Sequence, residues 1–256
     1  MLLLIGLGLA TKDLSARALE EIKDADELLL ETYTAFLPDD YIVFLEKQTG
    51  KKPKLIKRRE LEEEVKETVA KAKEKKIAIL IPGDPLIATT HSIILNEAKK
   101  QGIEYQVVHA PSVFSIAIGD SGLDVYKFGP TVTIPFWSDK YKPTSFIDAI
   151  GKNLQNEQHT LILLDIDQKN NRPMKLSEAL EIIKMAQSAT NSKILGPDMK
   201  IIVMANLGRT DKIVKYINIG GADQKLFKEL EGMQLSLIVP GQMSFAEKES
   251  LQRATS

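Results

Sequence analysis

Residues 2–5 (LLLI) form an unbroken apolar run into which no polar position alternates. That pattern predicts a strand covered on both faces. Leu14, Ala18, Leu19 and Ile22 then recur at helical spacing, and residues 27–30 predict a second strand. Residues 41–48 read as a short helix and residues 54–56 as a weak strand. Charge dominates residues 61–75 outside Val65, Val69 and Ala72. There Glu62 with Lys66 and Glu67 with Lys71 stand four apart in the favourable order, which predicts a solvated helix face. Residues 77–81 (IAILI) are the clearest central strand, and they run into the turn Pro82-Gly83-Asp84-Pro85. Thr89 or Thr90 is placed to cap a helix with Ile94, Leu95 and Ala98 facing inward. Residues 105–109 predict another strand, closed by Ala110-Pro111-Ser112. Strands alternating with helices predict a parallel sheet with helices on both faces.

The second half has a different texture. Residues 131–135, 160–165, 200–205, 212–219 and 235–239 read as strands, and residues 143–154 and 177–189 as helices. Some of these strands are joined by short loops, which predicts a mixed sheet. A boundary within residues 111–122 divides the chain into an N-terminal α/β domain, 1–114, and a C-terminal α/β domain, 115–256. Each is expected to supply half of a ligand cleft.

The chain of 256 residues balances 34 Lys and Arg against 35 Asp and Glu, for a formal charge of -1. Without a basic excess, nucleic-acid binding by bulk charge is disfavoured. The 43% apolar content is that of an ordinary globule. Residues 1–10 are too short to span a bilayer and lack a basic flank, so no signal or membrane segment is expected. With no cysteine, disulfides, thiolate metal sites and Cys nucleophiles are excluded, and a cytoplasmic location fits.

Candidate chemistry clusters at strand ends. Gly6-Leu7-Gly8 lets the backbone approach a ligand closely, but Thr11 stands where a dinucleotide fingerprint needs a third glycine. Glu31 is placed to imitate an acidic ribose ligand, and two glycines easing a turn is the plain alternative. Asp84, in a proline-stiffened loop after a buried strand, is positioned to meet a polar ligand or simply to make a turn. Asp165-Ile166-Asp167 has the form of a metal-binding D-x-D, but no third acid or histidine stands near it. His91, His109 and His159 lack metal spacing, so no metal is expected. A P-loop and a G-x-S-x-G elbow are both absent. Phe136 and Trp137 offer a wall for an acceptor pocket or ordinary packing.

The ordered segments say more. They are IGLGL (5–9), ETYTAFL (31–37), PGDPLIATTH (82–91), HAPSVFSIAIGDSGLDVYKFG (109–129), PTSFIDAI (143–150), HTLILLDI (159–166) and LIVPG (237–241). Together they resemble the diphthine synthase family, archaeal type, within the tetrapyrrole (precorrin-type) methylase superfamily. The resemblance spans the whole chain. It implies the two-domain fold of that superfamily and a homodimer with S-adenosylmethionine folded in the cleft between domains. It also implies repeated methylation, up to trimethyl, of the amino group on a 3-amino-3-carboxypropyl-histidine of translation elongation factor 2.

Carried over by matching motifs, the cofactor contacts are Leu9, Asp84, Ile87, Ser112, Val113, Leu164, Ala205 and Leu235. Asp84 would take the ribose hydroxyls or the methionyl ammonium. Most of the others are apolar, which implies recognition by shape and main-chain groups. The family's A-R-x-G-S is here Ala205-Asn206-Leu207-Gly208-Arg209, which leaves the arginine's role to Arg209 or to nothing. Ala10-Thr11-Lys12-Asp13 also departs from the usual first turn. Methyl transfer from a sulfonium needs no metal, and no dedicated base on the Ser–His–Asp pattern is expected. Asp165, Tyr33 and His109 are the candidates to take the amine's proton. Lys140, Lys142, Lys169, Arg172 and Lys175 either attract the protein partner or serve solubility. Rival readings are a corrin or precorrin methylase, a metal-dependent glycosyltransferase using Asp165 and Asp167, and a nucleotide-sensing module built on Gly6 and Gly8.

Overall fold

The computed structural model describes residues 1–38 and 40–255. Two compact units, Met1–Phe114 and Ser115–Ser256, each carry their own sheet and core.

The first unit contains strands β1 (Leu2–Gly6), β2 (Glu27–Glu31), β3 (Lys54–Ile56), β4 (Ile77–Ile81) and β5 (Tyr105–Val108). They form one sheet in the order β3-β2-β4-β1-β5, and every pairing is parallel. β1 and β4 are buried throughout. Leu2, Leu4, Ile77, Ile79 and Ile81 enter one core, while Leu3, Ile5, Ala78 and Leu80 enter another. Successive side chains of a strand point to opposite faces, so two covered faces demand an apolar residue at each position. Each fully buried Leu or Ile contributes about 1.5–3 kcal/mol.

The helices of this unit are α1 (Ala16–Asp24), α2 (Tyr41–Thr49), α3 (Arg58–Glu62), α4 (Val65–Ala70) and α5 (Ser92–Lys100). Ala18 and Ile22 of α1 join Tyr41 and Leu45 of α2 in one core; Val69 of α4 joins Ile94 and Ala98 of α5 in the other. Ser15 starts α1 by accepting the Ala18 amide at 3.1 Å. Gly50 closes α2 with φ 70, a conformation glycine adopts without strain.

The charged stretch 61–75 is not one helix. It breaks at Glu63 and Glu64 between α3 and α4 and ends in a 3-10 turn, Lys71–Lys73. The ion pairs formed there are Arg58–Glu62 at 2.6 Å and Arg59–Glu64 at 2.6 Å, in place of the expected Glu–Lys pairs. Thr68, buried at the break, bonds the Glu60 carbonyl at 2.8 Å and ties the two short helices together. The threonines before α5 do not cap it either. His91 holds the cap position, Thr89 bonds the Pro85 carbonyl, and Thr90 bonds Glu62.

Helix α6 (Val113–Ser121) begins at the end of the first unit, and the second unit follows with β6 (Val132–Ile134), α7 (Ser145–Gln155), β7 (Thr160–Leu164), β8 (Ile166–Asp167) and β9 (Arg172–Pro173). It continues with α8 (Leu176–Ala189), β10 (Lys200–Ala205), β11 (Ile213–Asn218), α9 (Gln224–Glu229), β12 (Leu235–Val239) and α10 (Phe245–Ala254). Its sheet runs β11-β10-β12-β7-β6. β6 and β7 are parallel and the other pairs antiparallel, the mixed sheet that the pattern predicts. Ile147 and Ile150 of α7 and Ala179, Ile182 and Ile183 of α8 pack on Ile162, Val203 and Leu237 of the strands. The short hairpin β8–β9 places Ile166 opposite Pro173, and the sequence pattern does not reveal it.

Candidate functional site

The carboxyl ends of β4, β1 and β5 lie side by side, and the loops that leave them meet. Gly8 and Gly83 bridge these loops, with amide-to-carbonyl bonds of 3.3 and 2.8 Å. Gly8 has φ 69 and Gly83 φ 71, in the region that favours glycine. A Cβ on Gly83 would stand 3.7 Å from the Ser112 Cβ and 3.8 Å from Leu9 Cδ2. Three predicted segments therefore converge on one point. Asp13 shapes the loop that carries Leu9, because its Oδ2 accepts the Leu9 and Ala10 amides at 2.8 and 3.0 Å. Reading Ala10–Asp13 only as a departure from the family misses this role. An acid five residues past the second glycine of the turn, and so three and four past the loop amides, is the signal for it.

Asp84 is only 5% exposed, and its carboxylate is engaged by the protein. Oδ1 accepts the Leu86 amide at 2.9 Å; Oδ2 accepts His109 Nδ1 at 2.8 Å and the Ala110 amide at 3.2 Å. The same loop is held from its other side by His91, which is buried. Its Nδ1 donates to the Pro85 carbonyl at 3.1 Å, so its Nε2 accepts the Tyr33 hydroxyl at 3.2 Å. Burial lowers the His91 pKa and keeps the ring neutral. Burial, followed by the nearby Glu31 and Glu62, pushes the Tyr33 phenol up, so it stays protonated.

Glu31 turns its carboxylate to its own loop. It accepts the Tyr33 amide, the Thr34 amide at 2.6 Å and the Thr34 hydroxyl, closing the turn after β2. Burial raises its pKa against those bonds. Ile87 is exposed beside Ala88, which has φ 57, and Val113 opens α6.

In the second unit, register brings three predicted residues to one end of the sheet. Ala205, last in β10, pairs with Leu235, first in β12. Leu164 ends β7, one position past the Leu163–Ser236 pair. The side chains of Ala205 and Leu235 belong to the unit's core, so their main chain is what a ligand would meet. Asn206 follows with φ 48, a left-handed conformation that asparagine tolerates better than arginine. Its side chain donates to Asp211 at 2.8 Å, and Arg209 pairs with the same Asp211 at 3.1 Å.

Asp165 and Asp167 do not form a metal pair on one strand. Asp165 lies between β7 and β8, where its carboxylate accepts the Phe136 amide at 3.2 Å and the Ile166 amide at 2.8 Å. Asp167 holds the turn at Asn170 through bonds of 3.0 and 2.7 Å. Among the described residues no group of three or more His, Asp or Glu side chains could hold a metal ion. Of the loop cations, Arg172 is clamped by Glu178 at 2.7 and 2.8 Å and stacks 5.5 Å from the Phe136 ring, and Lys175 pairs with Glu231 at 2.8 Å. His159 is buried and serves structure. Its Nδ1 accepts the Gly241 amide at 2.9 Å and its Nε2 donates to Glu247 at 2.8 Å.

Among the described residues no helix is long and apolar enough to cross a membrane. A profile of the family described as Tetrapyrrole (Corrin/Porphyrin) Methylases matches residues 1–221. Diphthine synthase of Methanothermobacter thermautotrophicus is 38% identical over 253 residues, covering 98% of this chain and 94% of the relative. The diphthine synthase of Methanococcus aeolicus is 38% identical over 254 residues, covering 98% and 97%. A crystal structure of diphthine synthase superposes with a TM-score of 0.86 at 29% identity, over 100% of this chain and 96% of that one. The chain therefore belongs to the tetrapyrrole methylase family, in its diphthine synthase branch, and is a methyltransferase.

Proposed function

We propose that the chain uses S-adenosylmethionine to methylate, up to trimethyl, the amino group of the 3-amino-3-carboxypropyl-histidine intermediate on elongation factor 2, giving diphthine. The supporting observation is full-length similarity to diphthine synthases in a chain whose β1, β4 and β5 loops converge at Gly83. By the same resemblance it works as a cytoplasmic homodimer.

The residues fit such a cofactor. Leu9 and Ser112 flank the position a Gly83 side chain would take and offer apolar and hydroxyl surface beside bare main chain, which suits a ligand read by contour and main-chain bonds. By the family resemblance, Ile87 and Val113 of the first unit and Leu164, Ala205 and Leu235 of the second are the further candidate cofactor contacts. S-adenosylmethionine supplies a methyl group already activated by its sulfonium. The protein's task is to orient the acceptor nitrogen, exclude water and leave that nitrogen with a free electron pair. Orientation of this kind contributes roughly 7–11 kcal/mol in favourable cases. Asp84 acts mainly by holding the loop in shape, since three protein donors already use its carboxylate.

The glycosyltransferase reading loses its footing once both acids of the D-x-D serve loop amides. A corrin-pathway methylase would share the cofactor but take a macrocycle. Thermal unfolding with S-adenosylhomocysteine, with manganese plus a nucleotide sugar, and with NAD sorts the cofactor classes. Only the first should raise the melting temperature. A ligand at 100 times its Kd adds about 2.7 kcal/mol.

A further inference from the structure

Of the three side chains that the sequence nominates as proton acceptor, two are spent. The Tyr33 hydroxyl is hydrogen-bonded to His91, and burial favours its protonated form. Asp165 is bound by the Phe136 and Ile166 amides. His91 and His159 have both ring nitrogens bonded inside the protein. His109 differs. Its side chain is 65% exposed, while Asp84, its partner, is 5% exposed. A carboxylate only accepts, so Nδ1 carries the proton donated to Asp84 Oδ2 at 2.8 Å. Nε2 is left with its lone pair, and no described protein group is bonded to it.

The placement is specific. In the order β4-β1-β5, Asp84 follows β4 and His109 follows β5, so their bond crosses the carboxyl end of β1 above Gly6. A Cβ on Gly6 would meet the Ala110 Cβ and the Gly83 carbonyl at 2.8 Å, so only glycine lets the two loops close there. Three residues beyond His109, Ser112 joins Leu9 beside Gly83.

Resting on the methyl-transfer reading above, the geometry points to His109 as the catalytic base, held and polarised by Asp84, that deprotonates the acceptor ammonium through Nε2. This departs from the expectation of no dedicated base. The ammonium proton passes to Nε2 and frees the nitrogen pair. That pair forms the N–C bond as the donor's S–C bond breaks with its electrons kept by sulfur, and the nitrogen ends cationic. The imidazolium charge is shared with Asp84 until the exposed Nε2 returns its proton to water. Each round of methylation removes one proton from nitrogen, so up to three rounds use the same base. Imidazole suits the task because it trades a proton near neutral pH.

The test uses H109N and H109A in the full chain. H109N keeps an N–H in reach of Asp84 but has no ring base. Expected are unchanged thermal stability and S-adenosylhomocysteine affinity for H109N, with methyl transfer to the modified elongation factor 2 reduced about 100- to 10,000-fold. Added imidazole should restore part of the rate in H109A. In the unloaded wild type, nitrogen-15 NMR of His109 should show a protonated Nδ1 and a bare Nε2. Transfer by H109N within threefold of wild type would overturn the inference, as would an Nε2-protonated ring. Wild type that binds the homocysteine product yet methylates no amine would instead bring down the functional reading, and the inference with it.

Discussion

A methyl group at Gly6 would stand 2.8 Å from the Ala110 Cβ and from the Gly83 carbonyl oxygen, and 3.0 Å from Pro85 Cδ. Gly6→Ala should therefore force the three strand-end loops apart, costing about 1–3 kcal/mol of stability as overpacking does. Denaturant unfolding and calorimetry with S-adenosylhomocysteine read the two consequences; a variant as stable and as tight-binding as wild type contradicts the convergence described. Asp84→Ala orphans the Leu86 and Ala110 amides and the His109 ring. Cofactor affinity should fall because the loop loses its shape, and unchanged affinity by calorimetry would refute any role for Asp84 at the site. What the sequence reveals at this scale is uneven. Gly6, Gly8, Gly83 and Asp84 are visible because glycine and proline punctuate strand ends. The commitment of Glu31, Asp165 and Asp167 to nearby loop amides is not, because a carboxylate in a turn looks the same whether it faces ligand or backbone.

At the scale of elements, α10 begins with Ser244, whose hydroxyl accepts the Glu247 amide at 3.3 Å, while Glu247 accepts the Ser244 amide at 2.7 Å. Glu247 also takes the Asp124 amide, His159 Nε2 and Lys127 Nζ, so it knots the Val125–Lys127 turn and the start of β7 to this helix. Burial opposes its ionisation, but bonds from Lys127, the Ser244 and Asp124 amides and His159 outweigh that and hold its carboxyl well below the usual range. Burial, against the pull of Glu247, lowers the His159 pKa. Both folded values are depressed, so both groups contribute stability at neutral pH that is lost on acidification. The loss begins as pH falls below the ordinary imidazole value of about 6.5 and continues below that of a carboxylate, about 4.3. Unfolding free energies at pH 7, 5.5 and 4.5 should decline in that order. Glu247→Gln should cost roughly 3 kcal/mol at pH 7, as breaking a buried charge network does, and should remove the part of the decline below about pH 4.3, while the His159 part persists because Glu247 no longer supports the charged ring. An equally steep decline below about pH 4.3 in the variant would place the carboxylate part of the acid sensitivity elsewhere.

The long apolar strands are the most legible elements. The predicted runs 77–81, 200–205 and 235–239 coincide with β4, β10 and β12, since double-sided burial writes itself into every position. The charged stretch 61–75 is misread because helix period in a solvated segment does not disclose the break that Thr68 stabilises. β8, β9 and α9 are two to six residues long and carry too few positions to show a period.

For the whole molecule, a parallel sheet in one unit and a mixed sheet in the other is what the change in connection length predicts, and that architecture is shared with diphthine synthase. Family membership was legible because specific motifs recur in order along the full chain. Which carboxylates are spent on their own loops was not, since a short-range turn bond leaves no mark on the residue pattern. A chelator should leave the transfer rate unchanged, because the donor's methyl group arrives activated by its sulfonium; a rate lost to EDTA and restored by manganese would reopen the D-x-D reading. The most direct measurement incubates the protein with methyl-labelled S-adenosylmethionine and elongation factor 2 bearing the 3-amino-3-carboxypropyl-histidine. Label on that residue's amino nitrogen, reaching three methyl groups, is the predicted result; a factor left unlabelled by protein that binds S-adenosylhomocysteine would contradict it.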